Sequence, residues 1–342
     1  MGEDGVCKTR IALALKADTT ADARRAMDAY AGQVDLVELR LDLMREYSLR
    51  ELLRDRPCPV IVTNRPVWEG GSFSGHEDSR IRILLEAAEL GAEHIDCEAA
   101  AAARLGAGCF RPSKLIVSKH DFQKTPDLHH AYRSICALQP DVVKVVGMAV
   151  SLSDPIHALD VLRRADRPAI SLTMGRKGLI SRILAGKYGA YLTFVSREAS
   201  AGQTAAGQVS AAVLRDTYCI DFLNGDTQVY GYIARTDLIT NMELARANAA
   251  LRSKGVNAVV VPLEIDNESL PALLDACRDL GFVGFAAHPS AGDGIEFLAP
   301  CSKTSGKVGP RTGWVLSAKE QWTARMLDPF SIGKAVNLWT AM

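Results

Sequence analysis

Leu115-Ile116-Val117-Ser118-Lys119-His120, then a stretch of helical length from Asp127 to Leu138, then Val142-Val143-Lys144-Val145-Val146: this succession decides the fold. Two β-rich runs flank a segment that opens on an aspartate suited to cap a helix. The alternation continues in both directions. Upstream lie β-rich runs at Ile11 to Leu15, Leu36 to Leu39, Val60 to Thr63 and His94 to Asp96; downstream lie Ala169 to Leu172 and Tyr191 to Val195. Segments of helical composition separate most of them, among them Thr20 to Ala31, Asp78 to Leu90 and Asp154 to Ala165. Repeated strand-then-helix units imply a parallel sheet, and eight of them within roughly 220 residues predict an α/β fold of the (β/α)8 TIM-barrel type. An open doubly wound sheet is the alternative, but it usually announces a glycine-rich first turn. No Gly-x-Gly-x-x-Gly occurs, and Gly70, Gly71 and Gly75 form only a loose cluster after the third strand.

The 342 residues, 48% hydrophobic and 23% charged, are enough for two domains with substantial cores. Forty basic residues balance forty acidic ones, so no global charge draws the chain to nucleic acid or an anionic membrane. The eight cysteines are scattered, without a Cys-x-x-Cys pair or a zinc-like histidine spacing, and read as reduced thiols. Met1 to Arg10 lacks an apolar signal core, and no run approaches the ~20 apolar residues that span a bilayer. These features predict a cytoplasmic protein.

Active sites of such barrels lie at the C-terminal ends of the strands, and the polar residues of this chain collect there. Lys144 sits within an apolar run, where desolvation favours the neutral, nucleophilic amine. A snorkelling or ion-paired lysine is the bland alternative. His120 ends the preceding strand. In Glu38-Leu39-Arg40-Leu41-Asp42 the period-two alternation turns Glu38, Arg40 and Asp42 to one side. Strand three runs into Thr63-Asn64-Arg65-Pro66 and Glu69-Gly70-Gly71, strand four into Asp96-Cys97-Glu98, strand seven into Met174, followed by Gly178-Leu179-Ile180-Ser181-Arg182. Three arginines, a histidine, a lysine and several carboxylates exceed what a structural network needs. They describe a pocket for a small carboxylated or polyhydroxylated anion.

These strings, with Ser118-Lys119-His120-Asp121-Phe122, Thr125-Pro126 and a late Ala206-Gly207-Gln208, resemble the type I 3-dehydroquinate dehydratases over most of residues 8 to 220. The resemblance implies dehydration of 3-dehydroquinate in the shikimate pathway without metal or organic cofactor. It implies that Lys144 forms an imine with the substrate ketone, that His120 is base and then acid, and that Glu98 orients His120 by accepting its other ring proton. It assigns the substrate carboxylate to Arg182, pocket and hydroxyl contacts to Glu38, Arg40, Arg65, Glu69 and Gln208, and an apolar wall to Met174. The family's Ser-Ala-Pro-Gly-Gln lid string appears here as Thr204-Ala205-Ala206-Gly207-Gln208. Thr204 keeps a hydroxyl, and loss of the proline frees the lid backbone. Ser200-Ala201-Gly202-Gln203 duplicates part of the string.

The Asn224-Gly225-Asp226 break separates a barrel domain, residues 1–223, from a smaller α/β domain, residues 227–342. The tail reads as strand Val229 to Ile233, helix Thr240 to Lys254, strand Ala258 to Leu263, helix Glu268 to Leu280, strand Phe282 to Ala286, a Gly- and Pro-containing stretch, helix Ala318 to Leu327, and a strand near Val336. It resembles the substrate-binding half of shikimate dehydrogenases, yet Thr240-Asn241-Met242-Glu243 replaces a Ser-Lys-Ser-Pro string and the catalytic lysine is absent after Ala286-Ala287-His288-Pro289-Ser290-Ala291. The tail is therefore expected to be non-catalytic, serving packing, dimerisation or regulation, and the protein to act as a homodimer. Two other functions remain open from sequence: another Schiff-base barrel such as a class I aldolase, or a barrel kept as a binding module.

Overall fold

The computed structural model describes residues 9–106, 108–197, 204–235, 239–265, 270–291, 313–318, 322–327 and 331–341. Ser200 to Gln203 and the helix start read at Glu268 lie outside them. Internal contacts divide the chain into two units, Thr9–Val150 with His157–Ala211, and Ser151–Ile156 with Ala212 onward.

Every β-rich run of the first two thirds becomes a strand: β1 (Ile11–Leu15), β2 (Leu36–Arg40), β3 (Val60–Thr63), β4 (His94–Glu98), β5 (Lys114–His120), β6 (Val142–Met148), β7 (Ala169–Met174) and β8 (Thr193–Val195). The intervening helices are α1 (Thr20–Tyr30), α2 (Leu49–Leu53), α3 (Glu77–Glu89), α4 (Ala99–Leu105), α5 (Leu128–Cys136), α6 (Ser153–Arg164) and α7 (Leu179–Ile183), with α8 (Ala211–Tyr218) following. Local chemistry starts several of them. Thr19 Oγ1 accepts from Asp22 N at 3.2 Å, Ser48 Oγ from Glu51 N at 3.3 Å and Asp127 Oδ1 from His130 N at 2.9 Å, each satisfying an amide that the helix itself cannot.

The eight strands pair in parallel in the order β7-β6-β5-β4-β3-β2-β1-β8, a nearly closed (β/α)8 barrel. Strand residues alternate between the helical layer and the lumen. Ala12, Ala14, Leu36, Ile61, Ile116, Val142, Ile170 and Phe194 fill the lumen as a buried apolar cluster. Lys144 falls in this inward phase, between Val142 and Val146. The register aligns Glu98 with Ser118, Ser118 with Lys144, and His120 with Val146, so the polar ends of neighbouring strands face one opening.

The second unit holds β9 (Gln228–Arg235), α9 (Asn241–Ser253), β10 (Ala258–Ile265), α10 (Leu270–Asp279), β11 (Phe282–Ala287), β12 (Gly313–Ala318), β13 (Trp322–Leu327) and α11 (Ile332–Thr340), with sheet order β10-β9-β11-β12-β13. Asn248 on α9 is buried; its Nδ2 donates to Thr217 O (2.8 Å) and Val260 O (3.1 Å), and its Oδ1 accepts from Val260 N (2.7 Å). Two expectations are corrected. The described residues of the expected helix Ala318 to Leu327 are strand: β12 pairs antiparallel with β11 and with β13, Gly284 opposite Ser317 and Gly313 opposite Leu327. Edge pairing of β11 outweighs the helix propensity of alanine, methionine and leucine there. Val336 lies in a helix rather than a strand. Ser331 Oγ accepts from Lys334 N (3.3 Å), and Ile332, Ala335, Val336 and Trp339 are buried at helical spacing.

Candidate active site

The strand ends open into a cleft of about 470 Å³, lined by Glu38, Arg40, Arg65, His120, Phe122, Lys144, Val146, Leu172, Met174, Arg182, Phe194, Thr204, Ala205 and Gln208. Nine of the residues expected from sequence thus meet at one opening. Lys144 is 4% exposed and its Nζ donates to Asp96 Oδ2 at 2.8 Å and to Glu38 Oε1 at 3.4 Å. The same nitrogen lies 4.3 Å from the centre of the Phe194 ring. Thr63 Oγ1 also donates to Glu38 Oε1, at 3.0 Å.

Behind the lysine, a buried network satisfies the charges one against another. Arg65 donates through Nη2 to Asp96 Oδ1 (2.9 Å) and through Nη1 to Glu98 Oε1 (2.6 Å) and Ser118 Oγ (2.7 Å). Ser118 Oγ donates to Asp96 Oδ1 at 2.6 Å, and Arg80 Nη1 lies 2.5 Å from Glu98 Oε2. Burial works against the Arg65 cation, but Asp96, Glu98, Glu69 and Glu38 outweigh it and hold its proton more tightly than usual. Burial likewise disfavours ionised Asp96, and Arg65, Lys144 and His120 overcome this, keeping its carboxyl well below the usual range. The ion pairs are therefore mutually dependent, Arg65 being the partner that Asp96 and Glu98 share.

His120 Nδ1 lies 3.0 Å from Glu69 Oε2. Burial pushes Glu69 up to about 8, against the pull of Arg65 and with the help of Glu98 and Asp96. Burial, Arg65 and Lys144 drive His120 well below its usual value, opposed by Asp96 and reinforced by Arg40. Both shifts favour uncharged partners, so the pair can take up a proton without building an imidazolium. Phe122 stacks against the imidazole, ring centres 6.1 Å apart at 22°, and rests on Gly70, where a Cβ would come within 2.3 Å of the Phe122 ring. Gly70 also has φ +72°, so glycine is required there on both counts.

This arrangement corrects one expectation. The carboxylate on His120 is Glu69, not Glu98. The register sets Glu98 beside Ser118, two residues short of His120, and both its oxygens are taken by Arg65 and Arg80. Glu69 and Glu98 thus stand behind the cleft lining. Asp96 was not singled out from sequence, although alternation in Asp96-Cys97-Glu98 places it on the same face as Glu98; it is the residue that joins Lys144 to Arg65.

Arg182, on the same cleft as His120, is 1% exposed, and among the described residues its Nη1 reaches Phe194 O at 3.4 Å, its Nε has no hydrogen-bond partner and no carboxylate pairs with it. Burial alone lowers it to about 10. The lid segment is organised by Gln208, whose Oε1 accepts from Thr204 N (2.9 Å), Thr204 Oγ1 (3.2 Å) and Ala205 N (3.3 Å). Gly175 N donates to Ala206 O at 3.0 Å, and a Cβ on Gly207 would lie 2.3 Å from Gly175 O, so the segment seats directly on the loop after β7. Side-chain acceptance by Gln208 supplies order where the family's proline is missing.

Residues 11–224 match the profile of the type I 3-dehydroquinases. The chain belongs to this family. The 3-dehydroquinate dehydratase of Methanocaldococcus jannaschii is 31% identical over 215 residues, covering 61% of this chain and 97% of that protein. The chloroplastic bifunctional 3-dehydroquinate dehydratase/shikimate dehydrogenase of Arabidopsis thaliana is 35% identical over 289 residues, covering 80% of this chain. The chain spans 47% of the length of that relative. Among solved structures, the type I 3-dehydroquinate dehydratase of Clostridium difficile, described with covalently modified comenic acid, superposes with a TM-score of 0.53 at 25% identity over 61% of this chain and 90% of that one. The matched residues include all eight strands of the barrel. No described helix is long and apolar enough to cross a membrane.

Proposed function

We propose that the barrel converts 3-dehydroquinate to 3-dehydroshikimate through an imine on Lys144, as a step of the shikimate pathway. The observation that carries this reading is a buried lysine, a histidine and an arginine that no carboxylate among the described residues pairs, all lining one cleft. Lys144 gives up a proton to add to the ketone carbon and a proton is returned as water leaves, giving a protonated imine. The imine withdraws electrons from the neighbouring carbon, and His120 removes its proton. Glu69 takes up the charge this would place on the ring. The resulting enamine expels the β-hydroxyl as His120 returns the proton, and water hydrolyses the imine to free Lys144. The water lost in forming the imine is regained at the end, so one water leaves overall. Borohydride reduction during turnover, followed by mass spectrometry, should place one substrate-derived adduct on Lys144; an unmodified Lys144 would overturn the mechanism.

Arg182 is assigned the substrate carboxylate. A guanidinium fork fits a carboxylate bidentately, and the charge-assisted bonds are stronger than neutral ones. Arg182→Met should raise KM on the order of tenfold to a hundredfold with a smaller effect on kcat, since such bonds carry about 1.5–3 kcal/mol and persist through the reaction. Steady-state kinetics of the purified variant checks the split; an unchanged KM would reassign the carboxylate.

The second unit is proposed to be structural or regulatory. Thr240 and Glu243, at the position of the dehydrogenase string, close a capping box: Thr240 Oγ1 accepts from Glu243 N (3.2 Å) and donates to Glu243 Oε2 (3.0 Å). Deleting residues 227–342 should leave turnover per folded molecule unchanged and lower the melting temperature, because Thr217 O loses the amide of Asn248. Loss of turnover in a fragment that remains folded would show that the second unit contributes to catalysis.

A further inference from the structure

Asp42 follows β2 in a single 3-10 turn, Leu41–Leu43, and its side chain is fully buried. It accepts from Arg40 Nε at 2.9 Å through Oδ1, and through Oδ2 from Arg40 Nη2 at 2.8 Å and from Ser72 N at 3.1 Å. One carboxylate therefore holds two parts of the molecule, the second of them 30 residues beyond Asp42 in sequence. The first is a guanidinium that lines the cleft. The second is the loop after β3. That loop is fixed at its base by Phe73 N donating to Arg65 O (3.0 Å) and Val67 N to Phe73 O (3.1 Å), and Gly71 lies so close that a Cβ would come 2.1 Å from Arg65 O. Its outer limb is tied down by the Ser72 bond to Asp42. Glu69 lies in this same loop.

We propose that Asp42 is a positioning residue for the dehydration: it fixes the Arg40 fork at the cleft and, through Ser72, pins the loop that holds Glu69 against His120. A fork bound on two nitrogens has its plane set, so Arg40 meets a substrate in one orientation. Moving Asp42 frees both that plane and the loop. A carboxylate that merely anchored the fold would affect melting alone.

The proposal rests on the dehydratase reading for its kinetic arm and stands apart from it in its spectroscopic arm. Asp42→Asn keeps the shape, removes the charge and turns an amide toward Arg40. It should raise KM for 3-dehydroquinate on the order of tenfold or more, and it should shift the ring resonances of His120 in protein carrying isotope-labelled histidine. In an Arg40→Met background the same substitution should no longer move KM while still shifting His120. Asp42→Glu keeps the charge one carbon farther out and covers the case in which D42N fails to fold; it should show the same two changes in weaker form. A parent chain that does not turn over 3-dehydroquinate would overturn the dehydratase reading, and the His120 resonances would still decide the role of Asp42. Folded variants with KM within about twofold of the parent and His120 resonances at the parent positions would overturn the proposal.

Discussion

Lys144→Met should yield a folded barrel that turns over 3-dehydroquinate ~10^4-fold more slowly or worse and gains no substrate mass on borohydride treatment, the scale expected when a covalent-catalysis group is removed. Methionine keeps the unbranched stem over Phe194 and deletes only the nitrogen. The carboxylates it leaves are not stranded. Asp96 keeps Arg65 and Ser118, and Glu38 keeps Thr63. Melting should therefore change little while chemistry stops. Substrate can still meet Arg182, so binding measured by calorimetry should persist without turnover. A variant that retains a hundredth of parental kcat would show that the ketone is activated by some other group, and the imine reading would fall.

His120→Ala should lower kcat about 10^2- to 10^4-fold, the range for loss of a general acid–base residue, but it should not abolish the adduct on Lys144. Imine formation and proton abstraction are then separated: mass spectrometry should find the enzyme loaded with substrate that has not lost its hydroxyl. Glu69 makes a companion prediction about pH. Its proton is held with a pKa of about 8, and the base form of the pair exists only after that proton has left. Activity of the parent should fall as pH drops through this value, because the pair then carries the proton that His120 must be free to accept. Glu69→Gln cannot titrate, so its profile should lose this acid limb. A parent profile flat from about pH 7 to 9, within about a pH unit of that pKa on either side, would show that the His120–Glu69 pair does not carry the proton.

The barrel was legible because each of its strands is locally encoded. Runs such as Val142 to Val146 can be satisfied only between neighbours on both faces, and helices such as α5 carry their own cap. The tail was less legible from the same kind of evidence. Trp322-Thr323-Ala324-Arg325-Met326-Leu327 has no local feature that fixes strand over helix; β12 and the edge of β11 settle it. Ser331 caps α11, a local signal that the expectation of a strand near Val336 did not use.

At the site, residue type and position at a strand end or in the segment after it pointed to Lys144, His120, Arg182 and the surrounding charges. Spacing alone did not identify partners. The resemblance set Glu98 against His120, and the structure sets Glu69 there instead, a choice that depends on strand register and on arginines from α3 and the end of β3. Glu98 is drawn to Arg65 and Arg80, while the Gly70-Gly71 turn brings Glu69 back over the imidazole. What the sequence by itself determined is which groups stand at the mouth of the barrel, because the strand–helix period and side-chain alternation are local properties. Which charge meets which, and hence which proton moves, was decided only by the tertiary structure, because a buried ion is stable only with whatever opposite charge folding delivers within a few ångströms.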